Sequence, residues 1–256
     1  MVAVLGLSLV AVALLVPAYP QPQAYHAFAD DRAFLGVPNF ANVISNAGFL
    51  AVGWLGLRYL RGPGRQSFLE DQGRWPYLAF FAGAVLTALG SAYYHWAPTD
   101  DALAWDRSAM TLVFSALVAA VLADRSDSKA VLPAFLLIAA LGVGTVVYWR
   151  ASAALAAENV LPYLTFQAAA CALALALTVW PSRYTRRADL GVAFLLYAAA
   201  LAAEWHDHAI FALGQVVSGH TLKHLLAAAA MYWVLRMLMW RVPRGLPRNS
   251  AVRNSD

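Results

Sequence analysis

Eight stretches of this chain run on with almost no charge: 1–17, 42–60, 77–96, 107–123, 131–149, 159–180, 188–205 and 219–240. A helix needs roughly 20 apolar residues to cross a bilayer. In lipid, each backbone N–H and C=O must find its partner within its own segment, so runs of this length are helices. The connections are short, and no internal repeat or low-complexity block separates them. The expected fold class is therefore all-α, a polytopic membrane helix bundle forming one domain.

Composition agrees. The chain of 256 residues is 61% hydrophobic and only 12% charged, where an ordinary soluble domain is about half apolar and a quarter charged. Its net charge of +4 sits mostly on arginines in short clusters between the apolar runs. Such clusters read as loop charges that orient the chain in a membrane, and no nucleic-acid partner is expected. The single cysteine, Cys171, allows neither an internal disulfide nor a thiolate metal site. Run 1–17 lacks the basic residues that precede a secretory signal, and "PAYPQPQAYH" is a weak cleavage sequence. It is read as an uncleaved extra helix.

Basic residues alternate from one connection to the next. Residues 58–76 carry Arg58, Arg61, Arg65 and Arg74, residues 124–130 carry Arg125 and Lys129, and residues 181–187 carry Arg183, Arg186 and Arg187. The tail 241–256 carries Arg241, Arg244, Arg248 and Arg253. The intervening connections are poor: none in 97–106, Arg150 in 150–158, none in 206–218, and Arg32 before run 42–60. The positive-inside rule then puts Met1 and the C-terminus in the cytoplasm and residues 18–41 outside.

Under that topology, polar residues gather at one level. Run 42–60 opens with Asn42, Ser45 and Asn46, run 77–96 closes with Ser91 and His95, and Asp106 stands at the mouth of run 107–123. Run 188–205 leads into "EWHDH", Glu204 to His208, and run 219–240 opens with His220 and His224. Ionisable groups inside spans are costly and mark function. Residues four apart share a helix face, so His220 and His224 form a pair. With His95 they make three imidazoles at one depth. That is the ligand set of a catalytic zinc site, which keeps a fourth position open. Asp106 suits a proton acceptor for the water held there, and Ser91 a donor to a developing oxyanion.

These residues resemble a known family. "GSAYYH" (90–95), Asp106, "HTLKH" (220–224) and "NVISN" (42–46) resemble the motifs of the alkaline ceramidases. That family belongs to a superfamily of seven-helix membrane hydrolases and receptors that includes adiponectin-receptor-like proteins. The likeness covers roughly residues 25–240. It implies seven transmembrane helices over 25–240; the N-terminal hydrophobic helix and linker (1–24) departs from that plan, and a basic cytoplasmic tail (241–256) follows. It implies Zn2+ held by His95, His220 and His224, with Asp106 and Ser91 as catalytic residues. The activity implied is zinc-dependent hydrolysis of ceramide-like lipids, drawn from the bilayer, to a sphingoid base and a fatty acid.

The chain departs from the pattern before the first family helix, where Asn39 replaces a glutamate. Asp30, Asp31, Asn39 and Asn42 still offer the oxygen ligands Ca2+ prefers, and the other reading is a solvated turn with a helix cap. His206 or His208 could replace a ligand, or the Glu204–His208 segment could line the pocket mouth, with Glu204 accepting from a ligand histidine. Lys223 is expected to pair with an acid or reach the interface. Rival functions are a zinc-containing lipid receptor of the same superfamily, a haem protein using His95 and His220, and a proton-coupled transporter.

Overall fold

The computed structural model describes residues 2–126 and 128–244. The end of the basic tail, with Arg248 and Arg253, lies outside the described residues. The chain is all-helical. Among the described residues, extended structure is limited to two isolated bridges, Phe34 with Val37 and Tyr184 with Pro243.

Ten α-helices follow in order: α1 (Val2–Leu15), α2 (Phe40–Ser45), α3 (Ala47–Arg61), α4 (Trp75–Trp96), α5 (Asp100–Ala123), α6 (Val131–Ala154), α7 (Leu161–Leu177), α8 (Ala188–Trp205), α9 (Asp207–Ala212) and α10 (Gly219–Trp240). Among the described residues, six segments are long and apolar enough to cross a membrane: Phe40–Arg61, Asp71–Trp96, Asp100–Ala123, Val131–Ala154, Ala188–Trp205 and Gly219–Trp240. This is the build of an integral membrane protein. Two of the eight apolar runs form shorter helices, α1 with 14 residues and α7 with 17. Short helix α9 arises in a segment expected to be a loop.

Local chemistry sets the boundaries that matter for the site. Thr99 caps α5, its side chain accepting from the Ala102 N–H at 3.2 Å, and Asp100 and Asp101 fall in the first turn, where acids favour the helix dipole. The helix therefore begins before the apolar run does. Asp106 lies not at the mouth of α5 but about two turns inside it. Ser218 caps α10 in the same way, accepting from the Thr221 N–H at 3.1 Å.

Helix α5 is the central element, packed between α4, α6 and α7, and α8 lies along α10. A large apolar cluster fills the middle, with Phe81, Ala116, Val118, Phe166 and Leu238 fully buried. Helix α1 rests on α7 and α6. Helices α7 and α8 hardly pack against each other, and a hydrogen bond from Gln167 Nε2 to Tyr197 Oη, 2.9 Å, bridges them. The segment before α2 folds over the end of the bundle where α5 and α10 begin. The Val160 N–H donates to Tyr19 O, the Ala29 N–H to Asp207 Oδ2, and Arg32 Nη1 to Gln215 O.

Candidate metal centre

The turn between α4 and α5 explains how the predicted residues meet. Ser91 lies eight residues before the Thr99 cap and Asp106 seven after it. At about 1.5 Å of rise per residue, two antiparallel helices bring these side chains to one depth. Gly90 makes the approach close: a Cβ there would stand 3.2 Å from the Asp106 Cα. His95 sits one turn nearer the cap. On α10, His220 and His224 lie two and six residues past Ser218. Gly219 is required where α10 begins, since any side chain would collide with the Ala203 carbonyl oxygen of α8.

The three histidines come together as the sequence predicts, and all are buried. His95 Nε2 lies 3.2 Å from His220 Nε2 and 3.3 Å from His224 Nε2. One ligand atom from each of the three falls within 4.8 Å of those from the other two, an arrangement that could hold a metal ion. For ligands 2.0–2.1 Å from a tetrahedral ion, the edge between two nitrogens is about 3.3–3.4 Å.

Proton positions follow from the surrounding bonds. Ser45 Oγ donates to Asn42 O at 2.9 Å, so it is left to accept from His224 Nδ1 at 2.8 Å. That puts the His224 proton on Nδ1 and turns the bare Nε2 lone pair inward. His220 Nδ1 lies 3.7 Å from Glu204 Oε1, so its proton is favoured on the same side. Two lone pairs thus face His95 Nε2, and three imidazole nitrogens converge at distances an ion could bridge, so the donor set fits a metal ion.

The surroundings hold the rings. Phe28, from the covering segment, packs against His95 and His220 with centroids 4.7 and 5.1 Å apart. Asn39 Nδ2 donates to His95 O at 2.9 Å, and the His220 N–H donates to Asp207 Oδ1 at 2.7 Å. Lys223 pairs with Glu204 at 2.7 Å, and Tyr25 Oη donates to the same carboxylate oxygen at 3.0 Å.

Asp106 and Ser91 line a cavity of about 620 Å³ that also reaches His224, Glu204 and Lys223. It runs between α4, α5, α7, α8 and α10, from Ser91 as deep as Phe80 on α4. Asp106 is 8% exposed, and its Oδ1 has no hydrogen-bond partner among the described residues. The cavity is mainly apolar below these groups, with Val113, Leu117, Leu190 and Val234 on its walls.

Some expectations fail. His206 and His208 are exposed and stand apart from the triad, so neither replaces a ligand. Of the four calcium candidates, Asp30 and Asn42 have their side-chain oxygens engaged. Both Asp30 oxygens are taken by Arg32 at 2.7 Å, and Asp31 is exposed. Asn42 Oδ1 accepts from Thr221 Oγ1 at 2.9 Å, while Asn39 gives only its amide nitrogen to His95 O. The ion pair lowers the Asp30 carboxyl below its ordinary range, chiefly through the Arg32 hydrogen bonds. This region is a hydrogen-bonded turn leading into α2.

Sequence reasoning passed over Phe28, Tyr25 and Arg107. Ser45 was noticed only as one polar residue at a helix start. A serine three residues after an asparagine, facing a histidine helix, was the available signal.

Fold and site together define an all-helical membrane protein with a buried three-histidine cluster able to bind a metal ion. Comparison with protein-family models finds no match, and comparison with curated protein sequences finds none.

Proposed function

We propose that this chain is a zinc-dependent membrane hydrolase that cleaves the amide of a ceramide-like lipid to an amine and a fatty acid. In this reading α7 is a seventh span, α1 is an added helix, and the histidine end faces out of the cytoplasm. The observation that carries it is the spacing of His95 Nε2 from the Nε2 atoms of His220 and His224, 3.2 and 3.3 Å, which is close to the edge of a zinc coordination tetrahedron. The sequence resemblance to alkaline ceramidases points the same way.

His95, His220 and His224 would hold the ion, with Ser45 and Glu204 orienting two of the rings. When bound, zinc lowers the pKa of water to about 7 and polarises a carbonyl. Asp106, with a carboxylate oxygen left unmatched, takes the proton of the attacking water and passes it to the leaving nitrogen. Ser91, one turn below His95, donates to the oxygen that gains charge. Phe28 and the segment around it exclude bulk water from above. The apolar cavity accommodates an acyl chain, which reaches it from the bilayer through the loosely packed α7–α8 side.

The unmatched Asp106 oxygen favours turnover over passive lipid binding, because a receptor needs no proton acceptor there. Three imidazoles in mutual contact leave no gap for a porphyrin, which argues against the haem reading. Purified protein should contain about one zinc per chain, and His220→Ala should contain about a tenth of that or less. Asp106→Asn should keep its metal and lose about 10²–10⁴ of amide hydrolysis, measured as fatty acid released. Absence of metal from the wild type under zinc-replete expression would refute the proposal.

A further inference from the structure

Arg107 is the buried charge that the mechanism leaves unused. It sits on α5 next to Asp106, is 5% exposed and lines the same cavity. Among the described residues it forms no ion pair. Nη2 donates to the neutral Gln21 Oε1 at 2.7 Å, and Nη1 is buried without a partner. The rings of Trp149 and Tyr163 stand 4.5 and 4.7 Å from the guanidinium carbon. Those rings set its direction and exclude water. Asp106 makes no hydrogen bond to it, since consecutive helix residues do not face each other and the Asp106 Oδ1 is itself unmatched. Lys223, the other cation on the cavity wall, already has Glu204.

A buried guanidinium with an unmatched N–H and no hydrogen-bonded counter-charge is costly. Planar, with N–H groups to spare, it is suited to a carboxylate. It stands beside the proposed water-handling residue, at the polar end of an apolar cavity. We propose that Arg107 recognises a carboxylate on the substrate, so that the amide lipid taken here is an N-acyl amino acid rather than a neutral ceramide. The proposal rests on the hydrolase reading for its chemistry. Water adds across the amide: the C–N bond breaks, a C–O bond forms, and both water protons go to nitrogen, leaving the acyl carbon as a carboxylate. The products are a fatty carboxylate and a free amino acid. Arg107 would hold the amine half and leave the acyl chain to the apolar wall.

The test compares N-palmitoylglycine with its methyl ester on the purified full chain in detergent. Binding is read from Trp149 fluorescence, with Trp149→Phe as the blank, and hydrolysis is assayed separately. The acid should bind about tenfold or more tighter than the ester, the scale of one charge-assisted hydrogen bond. Arg107→Gln should erase that preference by weakening acid binding alone, leaving the ester unchanged. A residue that only braced the fold would weaken both. Equal affinity for acid and ester on the wild type overturns the proposal, whatever the variant does. Tighter binding of ceramide 1-phosphate than of the acid overturns the carboxylate assignment. Cleavage of ceramide with equal acid and ester binding keeps the hydrolase and removes the subsite. A retained acid preference with no cleavage of any amide keeps the subsite and removes the hydrolase.

Discussion

The bundle carries a buried polar cluster at each end, and the two are built on opposite principles. At the end where α5 and α10 finish, Arg241 Nη1 lies 2.8 and 2.7 Å from the two oxygens of Asp124. Tyr77 Oη donates to the same carboxylate at 2.8 Å, and the ring of Tyr184 stands 4.0 Å from the guanidinium carbon. Charge cancels within the cluster, and both carboxylate oxygens are used. At the end where α5 and α10 begin, three imidazoles turn nitrogen toward one another with no acid among them. His95 Nδ1 and Asp106 Oδ1 find no partner among the described residues, and beside them Arg107 Nη1 is likewise unmatched. Buried polar groups must be satisfied by something. In one cluster the carboxylate is fully matched by its neighbours, with Arg241 Nε and Nη2 its unmatched atoms; in the other a carboxylate oxygen, an imidazole nitrogen and a guanidinium nitrogen are all left unmatched.

The contrast makes opposite demands on substitutions. The largest effect on stability should come from the closed cluster. Arg241→Met strands Asp124 inside the fold and should cost about 3–5 kcal/mol in detergent unfolding, with metal content per folded chain unchanged. Adding Asp124→Asn to it should recover part of that loss, because the uncompensated charge is gone. A loss of metal in Arg241→Met protein that remains folded would mean the two ends are coupled and the contrast is false. Ser45→Ala acts at the open cluster and should do the reverse. It removes the acceptor that orients His224 and should weaken metal binding about 10–100-fold in chelator competition. Its thermal midpoint without metal should stay near wild type.

The smallest effect should appear at Asp30, in the covering segment. Its carboxyl is held below the ordinary value when folded, so its ion pair stabilises fully above that value and is lost as pH falls through the folded one. Metal-free wild type should therefore lose thermal stability below about pH 4, and Asp30→Asn should show a smaller acid loss there. Equal acid sensitivity of the two proteins would show that the pair with Arg32 does not secure the covering segment.

Much of the architecture was legible because lipid leaves the backbone little choice: the apolar runs 131–149 and 219–240 had to be helices, and α10 begins and ends with its run. The spacing of His220 and His224 was enough to put both on one face. Other features depended on partners distant in sequence. Nothing in "LAWDRSAM" says that Asp106 lies two turns deep, because the Thr99 cap and two acids extend α5 beyond the apolar stretch. Arg241 looked like a tail charge and is buried, since Asp124 lies more than a hundred residues away in the chain and beside it in the fold.

The sequence by itself determined that this chain forms apolar helices, and which residues are chemically able to bind a metal, because hydrophobic length and side-chain type are local properties. Only the tertiary structure decided which of those groups are matched. Asp124 and Glu204 received cations, Asp106 Oδ1 and Arg107 Nη1 received no hydrogen bond, and three imidazoles were left facing one another. That division depends on distances between helices, which no stretch of sequence carries.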